Sequence, residues 1–155
     1  MFQWKARVPP RVAFFVWMAA KGKILTMDNL RKRKICIVEW CCLCKSSGES
    51  PDHLLLHCTF AQAVWSLVFC LFGISWVMLA RVVDLLACWM GDFGKSQSAL
   101  VWGAVPHCVM WLLWREWNNR VFEGIEVTSM ELKSRVFRTL FEWMSNPTSL
   151  DHSSF

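Results

Sequence analysis

The sequence predicts a mainly α fold, a small helical domain in which a loop is stapled to a helix. Three observations predict it. Apolar residues recur at helical spacing in several segments, capping residues and glycines bound those segments, and Cys and His residues cluster between positions 41 and 58. The chain has 155 residues, 55% of them hydrophobic and 19% charged, so it can bury a core and is not expected to be disordered.

Two helices are predicted before the cluster. Pro9-Pro10 opens the first, over residues 11–21, and Gly22 ends it. Thr26 caps a short second helix that ends in the basic run Arg31–Lys34. The apolar stripe of the first helix consists of Val12, Phe15, Val16 and Ala19.

The best candidate for a strand is Ile35–Val38, and it would be short. After the cysteine-rich loop, Ser50-Pro51-Asp52 combines a cap, a proline at the first helical position and an acid in the first turn. This combination predicts a helix over residues 51–71 that carries His53, His57 and Cys58.

Three further helices are predicted. The first spans residues 82–90, and a long one spans 99–123, kinked or interrupted at Pro106 and ended by Gly124. Thr128-Ser129-Met130-Glu131 is a capping box that opens the last helix, and Asn146-Pro147 closes it. Apolar residues recur at helical spacing in this last helix at Val136, Phe137, Leu140, Phe141 and Met144.

The net charge of +5 is unevenly distributed. Residues 1–35 carry nine basic residues and one acid, Asp28, which leaves the rest of the chain slightly negative. Such a basic end favours an anionic partner, most commonly nucleic acid, although a solvated surface is the alternative interpretation. The nine candidate contacts are Lys5, Arg7, Arg11, Lys21, Lys23, Arg31, Lys32, Arg33 and Lys34.

The chain contains eight cysteines, and no apolar leader with a cleavage site precedes them. This pattern indicates an intracellular, reducing compartment, either nucleus or cytoplasm, where clustered Cys and His residues point to a metal. The cysteines outside the cluster are expected to be ordinary buried thiols. They are Cys36, Cys70, Cys88 and Cys108.

The cluster has the spacing C-x2-C-x8-H-x4-C, formed by Cys41, Cys44, His53 and Cys58. Three thiolates and one imidazole fill a zinc tetrahedron, which predicts one structural zinc ion with no open position for catalysis. Cys42 competes with Cys41, although its spacing to Cys44 is short.

His57 is a second rival, because on a regular helix it meets His53 more easily than Cys58 does. Cys58 reaches the ion only if the start of the helix is distorted or if the side-chain angles allow it. Buried thiols with two histidines on a helix face are the alternative to a metal site.

The order of the motifs resembles the reverse-transcriptase zinc-binding domain of plant LINE-type retroelements, over residues 2–66. Residues 114–122 resemble the segment that follows this domain. The motifs are Trp4-Lys5, Val8-Pro9-Pro10-Arg11-Val12, Phe14-Phe15-Val16-Trp17, Thr26-Met27-Asp28-Asn29-Leu30, Cys41–Cys44, and Glu49 through Asp52-His53-Leu54 to Cys58, continued by Ala61, Val64 and Trp65.

The resemblance implies that Cys41, Cys44, His53 and Cys58 are the zinc ligands and that His57 is not one. Cys42 stands where the family usually has proline. The helices predicted after residue 66 form a helical extension over residues 67–146, expected to pack on the zinc domain, and residues 147–155 are expected to be a frayed tail. No polymerase accompanies the domain in this sequence, so a truncated or domesticated copy is expected.

In the family, the domain lies downstream of a reverse transcriptase and helps hold nucleic acid. The expected function is therefore that of a zinc-stabilised, non-catalytic nucleic-acid-binding module in which Trp4 or Trp40 stacks on bases, although such tryptophans usually belong to the core. His107, beside Pro106, is expected to be a core histidine and not a base.

Two other functions compete with this one. A protein-interaction module would have a protein partner that covers its apolar surface. A membrane-associated helical protein would use the uncharged runs 61–80 and 98–114, which are disfavoured as spans because Gly73 and Ser75 weaken the first run.

Overall fold

The computed structural model describes residues 8–33, 40–46, 48–75, 77–89 and 97–145. Within these ranges the secondary structure is helical and contains no strand, which confirms the mainly α class; the candidate strand at 35–38 lies outside them. The elements are α1 (Pro10–Ala20), α2 (Met27–Lys32), a first π-helical turn (His53–His57), α3 (Thr59–Leu71), α4 (Val82–Trp89), α5 (Gln97–Asn118), a second π-helical turn (Asn119–Glu123) and α6 (Ser129–Ser145).

The first two helices agree with the prediction. The buried residues of α1 are the predicted stripe, Val12, Phe15, Val16 and Ala19, and Gly22 follows the helix with a left-handed φ of 69°. The side-chain amide of Asn29 in α2 donates hydrogen bonds to the backbone carbonyls of Gly22 and Ile24, at 3.0 and 2.6 Å. These two bonds hold α2 against the turn that leaves α1.

The helix predicted over residues 51–71 is wrong as a continuous element. Ser50 caps its start as predicted, since its hydroxyl accepts the His53 N–H at 3.1 Å. The next residues form the first π-helical turn, and Cys58 then leaves the helical region with φ −55° and ψ 140° before α3 begins at Thr59. The break lies at a predicted metal ligand.

Helix α5 is the centre of the fold and contacts α1, α3, α6 and both π-helical turns. It runs through Pro106 without the interruption that the sequence predicted. Because proline has no N–H, the Trp102 carbonyl one turn earlier loses its helical donor. The indole N–H of Trp89 in α4 donates to that carbonyl at 2.9 Å, and the Trp89 and Trp102 rings stack with centroids 4.3 Å apart.

Trp89→Phe is expected to cost about 1–3 kcal/mol of unfolding free energy, because it leaves the partly buried Trp102 carbonyl without a donor. In a Pro106→Ala background a backbone N–H becomes available to that carbonyl, so the same Trp89 substitution should cost less. Urea unfolding of the four proteins of this cycle measures the difference. An equal cost in both backgrounds would refute the compensation.

The remaining helices show where spacing fails to identify the buried face. The Thr128 hydroxyl accepts the Glu131 N–H at 3.2 Å, as the capping box predicts. However, Phe141 is 71% exposed, so its place in the apolar pattern does not put it in the core. The buried residues of α6 are Leu132, Val136, Leu140 and Trp143.

The predictions for His107 and for the cysteines outside the cluster are confirmed in part. His107 is buried, and burial lowers its pKa to about 4 against an opposing hydrogen bond with the Gly103 backbone, as expected of a core histidine. Cys108 is buried as predicted, but Cys70 and Cys88 are exposed and Cys36 lies outside the described residues. Cys70 follows the buried pair Val68 and Phe69 and points away from that face of α3.

Neither uncharged run forms a membrane-spanning segment in the part of the chain that the structure describes, because no helix there combines the necessary length with the necessary apolarity. Within residues 61–80, α3 already ends at Leu71.

Candidate metal centre

The C-x2-C loop is a tight turn. The Lys45 N–H donates to the Cys41 carbonyl at 2.8 Å, and Lys45 itself has a φ of 60°, the left-handed conformation that closes such a turn. The backbone N–H groups of Leu43 and Cys44 are hydrogen bonded to the Cys41 sulfur. The loop therefore folds around the first predicted ligand.

The first π-helical turn positions the second pair of ligands. Its characteristic bond runs from the Cys58 N–H to the His53 carbonyl at 2.7 Å, a spacing of five residues where an α-helix has four. This bond brings the Cys58 backbone against that of His53, and Cys58 then leaves the helical region with φ −55° and ψ 140°. Both side chains contribute a ligand atom to one cluster.

The four predicted ligands converge. Their ligand atoms all lie within 4.8 Å of one another, and they form the candidate metal cluster found among the described residues. Cys41 Sγ lies 3.8 Å from Cys58 Sγ, and Cys44 Sγ lies 3.4 Å from His53 Nε2. Cys41 and Cys58 are buried, and Cys44 and His53 are partly exposed.

These distances fit the donor set of a structural zinc site. A tetrahedron with Zn–S bonds of about 2.3 Å and a Zn–N bond of about 2.0 Å has S···S edges of about 3.8 Å and S···N edges of about 3.5 Å. The Cys41–Cys58 and Cys44–His53 separations are close to these edges. The residues present can therefore hold a zinc ion.

The two buried sulfurs of the cluster are hydrogen bonded to each other. The hydrogen bond that the Cys41 thiol donates to Cys58 lowers the pKa of Cys58 and, together with burial, raises the pKa of Cys41. Burial opposes the shift at Cys58, whereas the backbone N–H groups of Phe60 and Ala61, in the first turn of α3, add to it. These N–H groups favour a thiolate, the form that binds metal.

The two rivals lie outside the cluster. Nε2 of His57 donates to the Ala80 carbonyl at 3.0 Å, and this bond ties the first π-helical turn to the segment before α4. Cys42 is partly buried, and burial followed by the charge of Glu49 raises its pKa, which disfavours a thiolate there. The set that converges is therefore Cys41, Cys44, His53 and Cys58, and its role as the zinc ligands stays a prediction.

The sequence did not predict the side chains that form hydrogen bonds to the backbone of the C-x2-C loop, or the side chains that hold them. Glu49 and Glu116 are buried acids, and Glu116 pairs with Arg120 at 2.7 Å. Trp117 donates its indole N–H to Glu49 at 2.8 Å. The resemblance of residues 114–122 to the segment after the zinc domain marked this stretch but not its position against the loop.

The structure describes six of the nine candidate nucleic-acid residues. Arg31 lies in α2, whereas Lys5, Arg7 and Lys34 lie outside the described residues. The other five are exposed, and Lys21 also places its ammonium 3.8 Å from the centroid of the Trp17 ring. These five are Arg11, Lys21, Lys23, Lys32 and Arg33.

A groove of about 310 Å³ between α5 and α6 is separate from the metal cluster. It is lined by both signs of charge, including Arg115, Arg135 and Glu142. Burial and the nearby charge of Arg135 lower the pKa of Arg115, while Arg135 itself pairs with Glu131 at 3.2 Å. The mixed charge gives the groove no clear preference for an anion.

Comparison with known proteins agrees with the resemblance. Residues 1–65 match the model of a family described as zinc-binding in reverse transcriptase. Over 62 residues the chain is 32% identical to an Arabidopsis thaliana protein named putative ribonuclease H protein, a match that covers 40% of this chain and 10% of that relative. No solved structure matches the chain.

Proposed function

We propose that this chain, whose residues 1–65 carry the zinc-binding domain of reverse transcriptases, is a zinc-stabilised, non-catalytic module that binds nucleic acid. The observation that supports it most strongly is the convergence of Cys41, Cys44, His53 and Cys58. Four protein ligands complete a tetrahedral shell and leave zinc no position for water or substrate. The ion would staple the loop at 41–44 to the start of α3.

The nucleic-acid surface would be the corner formed by α1 and α2. Lys21, Lys23, Lys32 and Arg33 are exposed there, and the bonds of Asn29 to the turn after α1 hold the two helices together. The acid of this corner, Asp28, accepts hydrogen bonds from the Thr26 hydroxyl and the Asn29 N–H. The cations thus outnumber the acids on a fixed surface, which attracts phosphates.

Trp40 is a further candidate for contact with nucleic acid. Its side chain is 54% exposed immediately before the loop, contrary to the expectation that such tryptophans belong to the core. Stacking of a base on an exposed aromatic ring contributes about 1–3 kcal/mol in single-strand binding proteins. Trp40 is therefore the residue we assign to base stacking, while Trp4 lies outside the described residues.

Replacement of Lys21, Lys23, Lys32 and Arg33 by glutamine is expected to weaken binding of single-stranded RNA or DNA and to flatten its salt dependence. The slope of log K against log salt should fall by about 0.7 for each phosphate that is no longer neutralised. Fluorescence anisotropy with a labelled oligonucleotide at several salt concentrations measures both quantities.

The control replaces Arg81, Lys133 and Arg138, three basic residues outside α1, α2 and the turn between them, by glutamine, and it should retain the slope of the unmodified chain. Binding by the unmodified chain that is independent of salt would contradict the electrostatic proposal. A control whose slope falls as much as that of the test variant would contradict the assignment to this corner.

A protein partner is the second candidate function, favoured by the outer face of α6. Met130 and Phe141 are 70% and 71% exposed, and their spacing of eleven residues places them three turns apart on one face of the helix. A partner on this face would remain bound after nuclease treatment and be released by Phe141→Gln. A nucleic-acid-bridged partner would be released by the nuclease.

A further inference from the structure

The middle of the C-x2-C loop is held by residues from the far end of α5. The Arg120 guanidinium lies in the second π-helical turn, 78 positions from Cys42. Its Nη1 donates to the Leu43 carbonyl at 3.2 Å and to the Cys42 carbonyl at 3.5 Å. The two residues between the cysteine ligands are thus tied to a distant part of the chain.

The Arg120 side chain is itself fixed on three further sides. Its Nε donates to Glu116 Oε2 at 2.7 Å, and its Nη2 donates to the Val127 carbonyl at 3.2 Å. The guanidinium also lies 4.8 Å from the centroid of the Phe60 ring. The side chains of Arg120 and Glu116 are 7% and 1% exposed, so the two form a buried ion pair. The hydrogen bonds and the ring contact fix the orientation of the guanidinium in this pair.

Glu49 binds the other polar backbone group of Cys42. Its Oε2 accepts the Cys42 N–H at 2.9 Å, and its Oε1 accepts the Trp117 indole N–H at 2.8 Å. Glu49 is only 4% exposed, so this bridge is shielded from water. The N–H and the carbonyl of Cys42 are therefore both bound by side chains that α5 and its π-helical end secure.

We propose that Glu49, Glu116, Trp117 and Arg120 are positioning residues for the zinc site. They fix the loop so that Cys41 and Cys44 face His53 and Cys58 before the metal arrives. The inference rests on the proposed zinc site and extends it, because it makes zinc affinity depend on residues 116–127, outside the matched segment 1–65. Partners of this kind change metal affinity by about 10–100-fold in characterised sites.

Charge favours the role of Arg120 alone, because Glu49 and Glu116 are negative and act through their hydrogen bonds. Three thiolates and a neutral histidine around Zn²⁺ leave the site with one net negative charge. The Arg120 cation sits on the carbonyls of the loop that supplies two of those thiolates and offsets this charge in a partly buried setting. Glu116 moderates the Arg120 charge while it directs the guanidinium.

Arg120→Lys is the principal test, because lysine keeps the charge opposite Glu116 but cannot form the fork of bonds to Leu43 and Val127. The expected result is zinc binding about tenfold weaker or more in the full chain, measured by competition with a chelator of known zinc affinity. Trp117→Phe keeps an aromatic ring beside Trp114, where the rings stack 4.8 Å apart, and removes the bond to Glu49 together with part of the buried indole. It should also weaken zinc binding.

Two controls separate positioning from general destabilisation. Leu140→Ala lowers stability through a cavity in the buried face of α6, and Arg135→Met breaks an exposed pair of the same i,i+4 spacing. Cobalt-substituted protein supplies the second measurement, since its visible bands report the ligand geometry. Arg120→Lys and Trp117→Phe should shift these bands, whereas both controls should leave them unchanged.

The inference would be overturned by two results together. Arg120→Lys and Trp117→Phe would lose no more zinc affinity than an equally destabilised Leu140→Ala, and their cobalt bands would not shift. An unmodified chain that binds no zinc would instead overturn the proposed function on which the inference rests. The two failures are distinguishable, because the first requires tight zinc binding by the unmodified chain.

Discussion

Cys41→Ser combined with Cys44→Ser is expected to abolish zinc binding and to remove the cooperative unfolding transition of the whole chain. Structural zinc contributes an apparent 10–16 kcal/mol or so in zinc-finger peptides, as much as the entire stability of a typical domain. The zinc ion would join the loop to the first π-helical turn, and α3 and α5 both contact that turn. Its loss should therefore spread beyond the site.

Far-UV circular dichroism and metal analysis of the purified variant test this expectation together. The matched control replaces Cys70 and Cys88, two exposed cysteines of α3 and α4, by serine and should keep its zinc and its helicity. A Cys41/Cys44 variant that remains fully helical, with an unchanged melting transition, would show that the metal does not organise the fold.

Glu116→Ala is expected to have the second largest effect. It should lower the free energy of unfolding by about 3–5 kcal/mol, because it leaves the buried Arg120 cation without its counter-charge. It also removes the acceptor of the Val127 N–H, which Glu116 Oε2 binds at 3.0 Å. The segment between the second π-helical turn and α6 should lose its anchor together with the C-x2-C loop. Chemical denaturation of the zinc-loaded protein measures the change.

Glu131→Ala is the control for this substitution. Glu131 pairs with Arg135 and Arg138 on the surface, where ion pairs contribute about 0–1 kcal/mol. The double variant Glu116→Leu with Arg120→Met should recover part of the stability, since it removes both buried charges. Equal costs for Glu116→Ala and Glu131→Ala would show that burial adds nothing to the pair.

The sequence predicted most of what depends on local chemistry. The stripe of α1, the Ser50 and Thr128 caps and the ends of α4 followed from periodicity and capping residues. The choice between His57 and Cys58 did not, because spacing on a regular helix favours His57. The structure brings Cys58, and not His57, into the cluster, which is the set that the family resemblance implies.

The features that the sequence could not provide involve residues far apart in the chain. Trp89 compensates for Pro106 through a bond to Trp102, and Trp117 reaches Glu49 across 68 positions. Neither bond leaves a periodic pattern, since each depends on how helices pack. The exposure of Trp40 and Phe141 was missed for the same reason, because burial is a property of the assembled fold.

The most direct test of the zinc centre is X-ray absorption at the zinc edge of the purified, unmodified chain. The expected result is one zinc per chain with three sulfur ligands at about 2.3 Å and one nitrogen at about 2.0 Å. A folded chain without zinc, or a zinc shell with water ligands and fewer than three sulfurs, would contradict the closed site formed by Cys41, Cys44, His53 and Cys58.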